Sequence, residues 1–515
     1  MATEAAARAG GHRAAASLVL GALLALLAVT IARTAWVGDD AFITFRSIDN
    51  FLNGYGMRWN VTERVQSFTH PLWFVLLTPV VAVTGNPYLS ALALSAALTA
   101  VAVGLMMAAV RGRPWQAAFL IVAMGLSKAF TDYSTSGLEN ALSHALLVGL
   151  MGSVITPAER RGRAAFVGLL VALVALTRLD LVLLAGPIGL AALRRVRRTL
   201  PAFLLGLTPL LAWEVFSVIY YGVPFPNTAY AKLATGIPGR DLLRQGVTYV
   251  LDSLERDPIT LFVITAGVSA ALVRAGTRVA GLAVGGYLIY VVRIGGDFMS
   301  GRFFSAPFVV SLCLLGRLPW PASVAGRVGP LAVALALGFA VPTPTVLSGP
   351  AYATSWTQIF SPSGIVDERG PYFQRMGWLT PDGPRSFPSH TAELAQKIAR
   401  AKATHPRVFT HDTVGLAGYL TGPDRQIIDV LALTDPLLAR LPAKTPWRIG
   451  HYARELPEGY YETVTSGRNQ IADPRIASLY EVIREVTQGP IWSPRRWRAI
   501  VALNTGRTDD WPVPR

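Results

Sequence analysis

Apolar residues in this chain gather into long unbroken runs, without the alternation of a half-buried strand or the single stripe of a surface helix. The first, Ala14 to Trp36, is longer than the apolar core of a leader peptide. It ends without an obvious small-residue cleavage site, so it predicts a spanning helix. Ten more runs follow at 88–110, 114–127, 138–156, 164–177, 180–193, 199–221, 258–273, 279–292, 303–316 and 328–342. Several are shorter than the roughly 20 residues a span needs, so their ends must borrow neighbours. One further run, Pro71 to Thr84, begins with a proline and ends at Thr84-Gly-Asn-Pro87, a turn signal. It either spans or lies flat in the interface.

Charge decides between the two. With 71–84 flat, Arg8 and Arg13 share one side with Arg111/Arg113, Arg160/Arg161/Arg163, Arg194/Arg195/Arg197/Arg198, Arg274/Arg278 and Arg317/Arg327. With 71–84 spanning, every later cluster moves to the opposite side. The first arrangement obeys the positive-inside rule throughout. The expectation is therefore a polytopic α-helical membrane protein over residues 1–342, multi-pass in the plasma membrane. It has eleven spans, a cytoplasmic N-terminus and an extracytoplasmic C-terminus. Residues 343–515 hold no run long enough to span and predict an extracytoplasmic α/β domain. Its expected strands are Arg407–Asp412 and Arg425–Val430, and its expected helices are Ala392–Ala403 and Ile476–Thr487.

Composition agrees. Of 515 residues 52% are hydrophobic and only 15% charged, at a mean hydropathy of +0.41. Soluble domains carry about 25% charged residues, so a wholly soluble chain is excluded, and so is a disordered one. The net charge of +16 is accounted for by topology in the membrane half, and no nucleic-acid partner is expected. The single cysteine, Cys313, excludes an intrachain disulfide and a Cys-based zinc site.

In this topology the acids near membrane level, Asp39, Asp40, Asp49, Asp132, Glu139, Asp180 and Asp297, all face outward. So do Arg46, Arg64, Lys128, Arg178, Lys232, Arg293 and Arg302. Ionisable groups at that depth are costly, and their clustering on one face points to function. The bland alternative, charges resting in headgroup water, is as good for any one residue and weaker for the set. Asp39 and Asp40 follow the first span directly. Helical spacing puts Asp39, Phe42 and Arg46 on one face, an arrangement suited to holding a sugar beside a phosphate. Capping of the next helix needs only one such acid. Arg293-Ile-Gly-Gly-Asp-Phe-Met-Ser-Gly-Arg302 offers glycines for close approach to an anion and arginines to pair with it; an ordinary tight turn is its rival reading. Tyr220 to Lys232 mixes aromatics with Asn227 and Lys232, and His70 ends the first outer loop as a base or phosphate donor, or as an interfacial histidine without a task. No nucleotide-binding loop, HExxH or Ser/His/Asp order occurs.

Gly38-Asp-Asp-Ala-Phe-Ile-Thr-Phe-Arg-Ser-Ile-Asp-Asn-Phe-Leu-Asn-Gly-Tyr-Gly56, Thr69-His-Pro-Leu-Trp73, Thr135-Ser-Gly-Leu-Glu139, Gly295-Gly-Asp-Phe-Met-Ser-Gly-Arg302 and Ile427-Ile-Asp-Val-Leu-Ala-Leu-Thr-Asp-Pro436 together resemble actinobacterial membrane glycosyltransferases of the GT-C class. Within it they are similar to the terminal β-(1→2)-arabinofuranosyltransferase family of cell-wall arabinan synthesis. The resemblance implies a polyprenyl-phosphate sugar donor reached from the outer leaflet, a cell-envelope glycan acceptor, and an essential acidic pair, here Asp39 and Asp40. One of the pair is expected as general base and the other to order the loop or hold a divalent cation, the one cofactor left open. Arg46, His70, Glu139, Arg178, Lys232, Arg293, Asp297 and Arg302 are the expected substrate-binding residues. A lipid-linked sugar flippase is the alternative, and it would need charges lining a path at mid-span.

Overall fold

The computed structural model describes residues 2–154, 159–193, 196–349, 352, 359–380, 407–412 and 414–506, with side chains from Ala14 onward. It is mostly helical. Helices stand where the apolar runs were read: Ala2–Thr34, Pro87–Ala109, Pro114–Leu126, Asn140–Ser153, Arg161–Thr177, Val182–Ala191, Val196–Gly206 with Thr208–Tyr220, Pro258–Leu272, Arg278–Arg293, Ser305–Arg317 and Val324–Phe339. Proline sits in the first turn of several, where its missing N–H costs nothing. Side chains close other starts: Asn86 accepts from the Leu89 N–H at 3.0 Å and Ser127 from the Phe130 N–H at 3.1 Å. By length and composition two described helices, Ala14–Thr34 and Pro87–Ala109, are apolar and long enough to cross a membrane. Val196–Gly206 and Thr208–Tyr220, bent by 45°, make a third such crossing if taken as one. Pro71–Thr84 forms a 14-residue apolar helix ending at Gly85, and it packs on Pro87–Ala109 and Arg161–Thr177.

Small residues let helices touch. A Cβ at Gly168 would lie 2.1 Å from the carbonyl oxygen of Phe203, so the 161–177 and 196–206 helices meet backbone to backbone. Contacts between connecting segments occur at two ends of the bundle. At one end Arg113 Nη1 reaches the Gly316 carbonyl at 3.2 Å, Arg163 Nη2 reaches that of Ser153 at 3.1 Å, and Arg317 bonds to that of Met151. At the other, Trp36 donates to the Asp132 carbonyl at 2.8 Å and Tyr88 to that of Met376 at 2.9 Å.

After the last long helix, residues 359–380 and 407–506 cover that second end. Strands β1 (Val408–His411) and β2 (Gln426–Asp429) pair in parallel, within the two expected segments. Pro474–Gln488 is the expected helix at 476–487, whereas the helix expected at Ala392–Ala403 lies outside the described residues. Leu438, Leu479 and Ile483 form an apolar cluster here that also takes in Ala231 from the short helix Asn227–Leu233.

Candidate active site

The helix Asp39–Leu52 begins directly after the first long helix, with Gly38 at its cap and both acids in its first turn. The two acids part company at once. The Asp39 carboxylate accepts from the Gly415 N–H at 3.0 Å and the Leu416 N–H at 2.8 Å, which fastens the C-terminal region to the helix start. Burial pushes its carboxyl up to about 6, against the pull of those two donors. Asp40 instead lines two cavities. One, of about 590 Å³, is walled by Phe68, Leu183, Phe225, Leu233, Tyr290 and Ile294, among others. The second, of about 320 Å³, is lined by Phe298, Phe360, Glu368, Tyr372, Asp412, Arg448 and His451, and Asp39 also reaches its edge; only Asp40 of the pair reaches the first. Asp40, Ile43 and Leu433 line both. Burial holds the Asp40 carboxyl above the usual carboxylate range, against the attraction of Lys232 and Arg302.

The larger cavity collects most of the expected substrate-binding residues. His70, Arg178, Lys232, Asp297 and Arg302 line it, with Asp180. Glu139 stands behind this wall, fully buried, and organises it. Its Oε1 is 3.1 Å from Arg302 Nη2 and 3.8 Å from Arg178 Nε, and its Oε2 is 3.0 Å from His70 Nδ1. His70 Nε2 lies 2.7 Å from the Thr44 hydroxyl, so the histidine bridges Glu139 to the helix that carries Asp40. Arg178 is forked onto Asp180 at 3.1 and 2.7 Å. Lys232 is the least engaged cation of this set. It lies 4.0 Å from Asp297, and its side chain is 32% exposed.

Two expected residues are elsewhere. Arg46 is buried and spends its guanidinium on the carbonyls of Trp59 (2.8 Å), Gly418 (2.6 Å) and Arg425 (2.8 Å), lying over the Trp59 ring. It lines neither cavity. Arg293 is exposed at the end of its helix and lines neither cavity. The glycines beside it serve packing. A Cβ at Gly296, whose φ is +75°, would come within 2.4 Å of the Tyr249 ring, so this tight turn carries Asp297 and Arg302 to the cavity. Lys128 and Asp132 join a separate buried cluster, and Arg64 bonds to the Tyr220 carbonyl at 3.2 Å.

Sequence reasoning missed Glu368, Tyr372, Arg448 and His451 of the second cavity. Their only signal was the charge triplet Asp367-Glu-Arg369, which follows no recognisable spacing. His451 is held down to about 4 by burial and by the positive charges of Arg448 and Lys232. The motif 427–436 works through its backbone. Asp429 accepts from the Leu431 and Thr434 N–H groups, both at 2.9 Å, and Asn227 donates to the Leu433 carbonyl at 3.2 Å. Leu433 is thereby fixed between the cavities. Among the described residues no three His, Cys, Asp or Glu side chains group as a metal ion would require.

The chain is 28% identical to a protein of Mycobacterium tuberculosis named a terminal β-(1→2)-arabinofuranosyltransferase, over 82% of this chain and 81% of that one. It is 26% identical to the protein of the same name from Corynebacterium glutamicum, over 92% of this chain and 83% of that one. No family model matches it, and no solved structure matches it. Over more than four fifths of its length this chain is thus similar to two proteins named terminal β-(1→2)-arabinofuranosyltransferases.

Proposed function

We propose that this protein is a membrane glycosyltransferase that moves a sugar, arabinofuranose on the strength of its relatives' names, from a polyprenyl-phosphate donor to a cell-envelope glycan at the outer face. The proposal includes eleven spans with the N-terminus inside. The observation that carries it is Asp40, shared by an apolar-walled cavity with cations and a separate cavity with aromatic and polar walls.

The donor belongs in the first. Leu183 and Leu233 line it and are themselves 42% and 64% exposed, which makes an apolar doorway on the flank of the bundle for a lipid tail. Arg178, Lys232 and Arg302 meet the phosphate, and Glu139 and His70 hold the wall in place. The acceptor enters from the second cavity. Asp40 takes the proton of its hydroxyl as that oxygen bonds to the anomeric carbon, and the sugar–phosphate bond breaks with its electron pair leaving on the polyprenyl phosphate. The cations stabilise that departing charge, typically the largest catalytic contribution, while a placed general base supplies about 10²–10⁴-fold. Asp39, with its carboxylate already bonded, orders the loop. The flippase alternative draws no comparable support, because the charged cavity residues come from helix ends and connecting segments.

The test is reconstitution with a labelled polyprenyl-phosphate arabinofuranose and an arabinan oligosaccharide. Label in the oligosaccharide is expected. Transfer only from a nucleotide sugar, or vectorial movement of intact donor without transfer, would overturn the proposal.

A further inference from the structure

The triplet Asp367-Glu-Arg369 divides its side chains between two environments. Asp367 and Arg369 enter a buried charge cluster. Lys128 Nζ lies 2.9 Å from Asp367 and also bonds to Asp132. Arg369 Nη1 lies 3.1 Å from Asp132, its guanidinium stacks 3.7 Å over the Tyr352 ring, and its Nη2 donates to the Ser348 hydroxyl at 3.2 Å. The backbone is pinned as well. The Val366 N–H bonds to the Phe298 carbonyl at 2.7 Å, and the Ser300 N–H to the Val366 carbonyl at 2.9 Å. This segment is therefore held rigidly against the turn that carries Asp297 and Arg302.

Glu368, between the two clamps, lines the second cavity with Tyr372, Arg448 and Asp40. It is 8% exposed, and among the described residues its carboxyl has no hydrogen bond or ion pair. With no hydrogen-bond partner among the described residues and Arg448 near it only through space, this carboxyl at the cavity wall is available to a ligand's hydroxyl. The same cavity is lined by the rings of Phe298, Phe360 and Tyr372, and aromatic side chains suit the apolar face of a sugar ring.

We propose that Glu368 is a further substrate-contacting residue, which binds a hydroxyl of the acceptor sugar and so selects the hydroxyl presented to Asp40. The inference rests on the glycosyl-transfer reading above. Burial, with Asp40 and Asp39 facing it, holds the Glu368 carboxyl well above its ordinary range. That shift favours the protonated carboxyl, which presents one donor and one acceptor, as a glutamine amide also can. Asp367, Arg369 and Lys128 are positioning residues for it.

The experiment is steady-state transfer with donor and acceptor varied separately. Glu368→Ala should raise the acceptor KM about tenfold or more and leave the donor KM within about twofold, with some product linked through a different hydroxyl. Glu368→Gln should stay within about threefold of the unsubstituted protein in acceptor KM. Glu368→Asp, one methylene shorter, should behave like the alanine variant and covers the case in which that variant does not fold. An unchanged acceptor KM in Glu368→Ala or Glu368→Asp would overturn the inference. So would an equal rise in both KM values, or a glutamine variant as poor as alanine. Loss of transfer by the unsubstituted protein would instead remove the underlying glycosyl-transfer reading.

Discussion

Asp39 and Arg46 grip opposite ends of one short helix, Leu416–Thr421. The carboxylate accepts from the N–H groups of Gly415 and Leu416 at its start, and the guanidinium donates to the Gly418 carbonyl nearer its end. Phe42, on the same face, meets Tyr419 edge to face between them. Each charge matches the helix dipole end it touches. The face predicted for substrate is thus occupied by the protein's own C-terminal region.

Replacing Arg46 should therefore act on stability. Arg46→Ala leaves the Gly418, Trp59 and Arg425 carbonyls without their donor. A loss of about 3 kcal/mol is expected in denaturant unfolding, with donor and acceptor KM unchanged in the folded fraction. A large change in donor KM at unchanged stability would return Arg46 to the substrate site.

The phosphate site should rank its cations. Arg302→Gln removes a donor from the cavity and leaves Glu139 short of its 3.1 Å partner, so kcat should fall by about 10²–10³-fold. Lys232→Met, which breaks a 4.0 Å contact to Asp297 and a cation–π contact to Phe298, should cost about tenfold, mostly in donor KM. Single-turnover rates at saturating donor separate the two.

Transfer should fall as the medium is acidified, because Asp40 must be ionised to accept a proton. Burial raises its carboxyl, so the acid limb of kcat/KM should have its midpoint above the ordinary carboxylate value of about 4. Lys232→Met removes a neighbouring positive charge that favours the ionised form, and should move the midpoint higher still. A midpoint at or below about 4, insensitive to Lys232, would dissociate the limb from Asp40.

Topology is open to labelling. In a Cys313→Ser background, cysteine placed at Tyr55, which is 45% exposed, should react with an impermeant maleimide from outside intact cells. Cysteine at Arg274, also exposed, should react only after permeabilisation. Reaction of both from the same side would refute the eleven-span arrangement.

Much of this was legible because bilayer-scale burial leaves a coarse imprint. Each apolar run from 88 onward is helical, the run 199–221 as two helices, and the acids at 39, 40, 180 and 297 that the runs put on one side all line one or both of the two cavities. The division of labour between Asp39 and Asp40 was not legible, since it depends on Gly415 and Leu416, more than 370 residues away. The same holds for Arg46, whose partners at 418 and 425 come from the far end of the chain. Proximity in sequence groups Arg293 with Arg302, but the turn through Gly296 separates them. Glu368 sits in a segment without periodicity, so only its neighbours' ion pairs reveal which way it faces.

The most direct measurement compares Asp40→Asn with Asp39→Asn for both thermal unfolding and transfer. Asp40→Asn should unfold at or above the temperature of the unsubstituted protein, since a buried charge is removed, and should lose transfer by about 10²-fold or more. Asp39→Asn keeps one acceptor for two N–H groups and should lose about 1 kcal/mol of stability while retaining transfer in the folded fraction. Full activity in Asp40→Asn, or loss of activity in a stable Asp39→Asn, would contradict the assignment of Asp40 as the base between the two cavities.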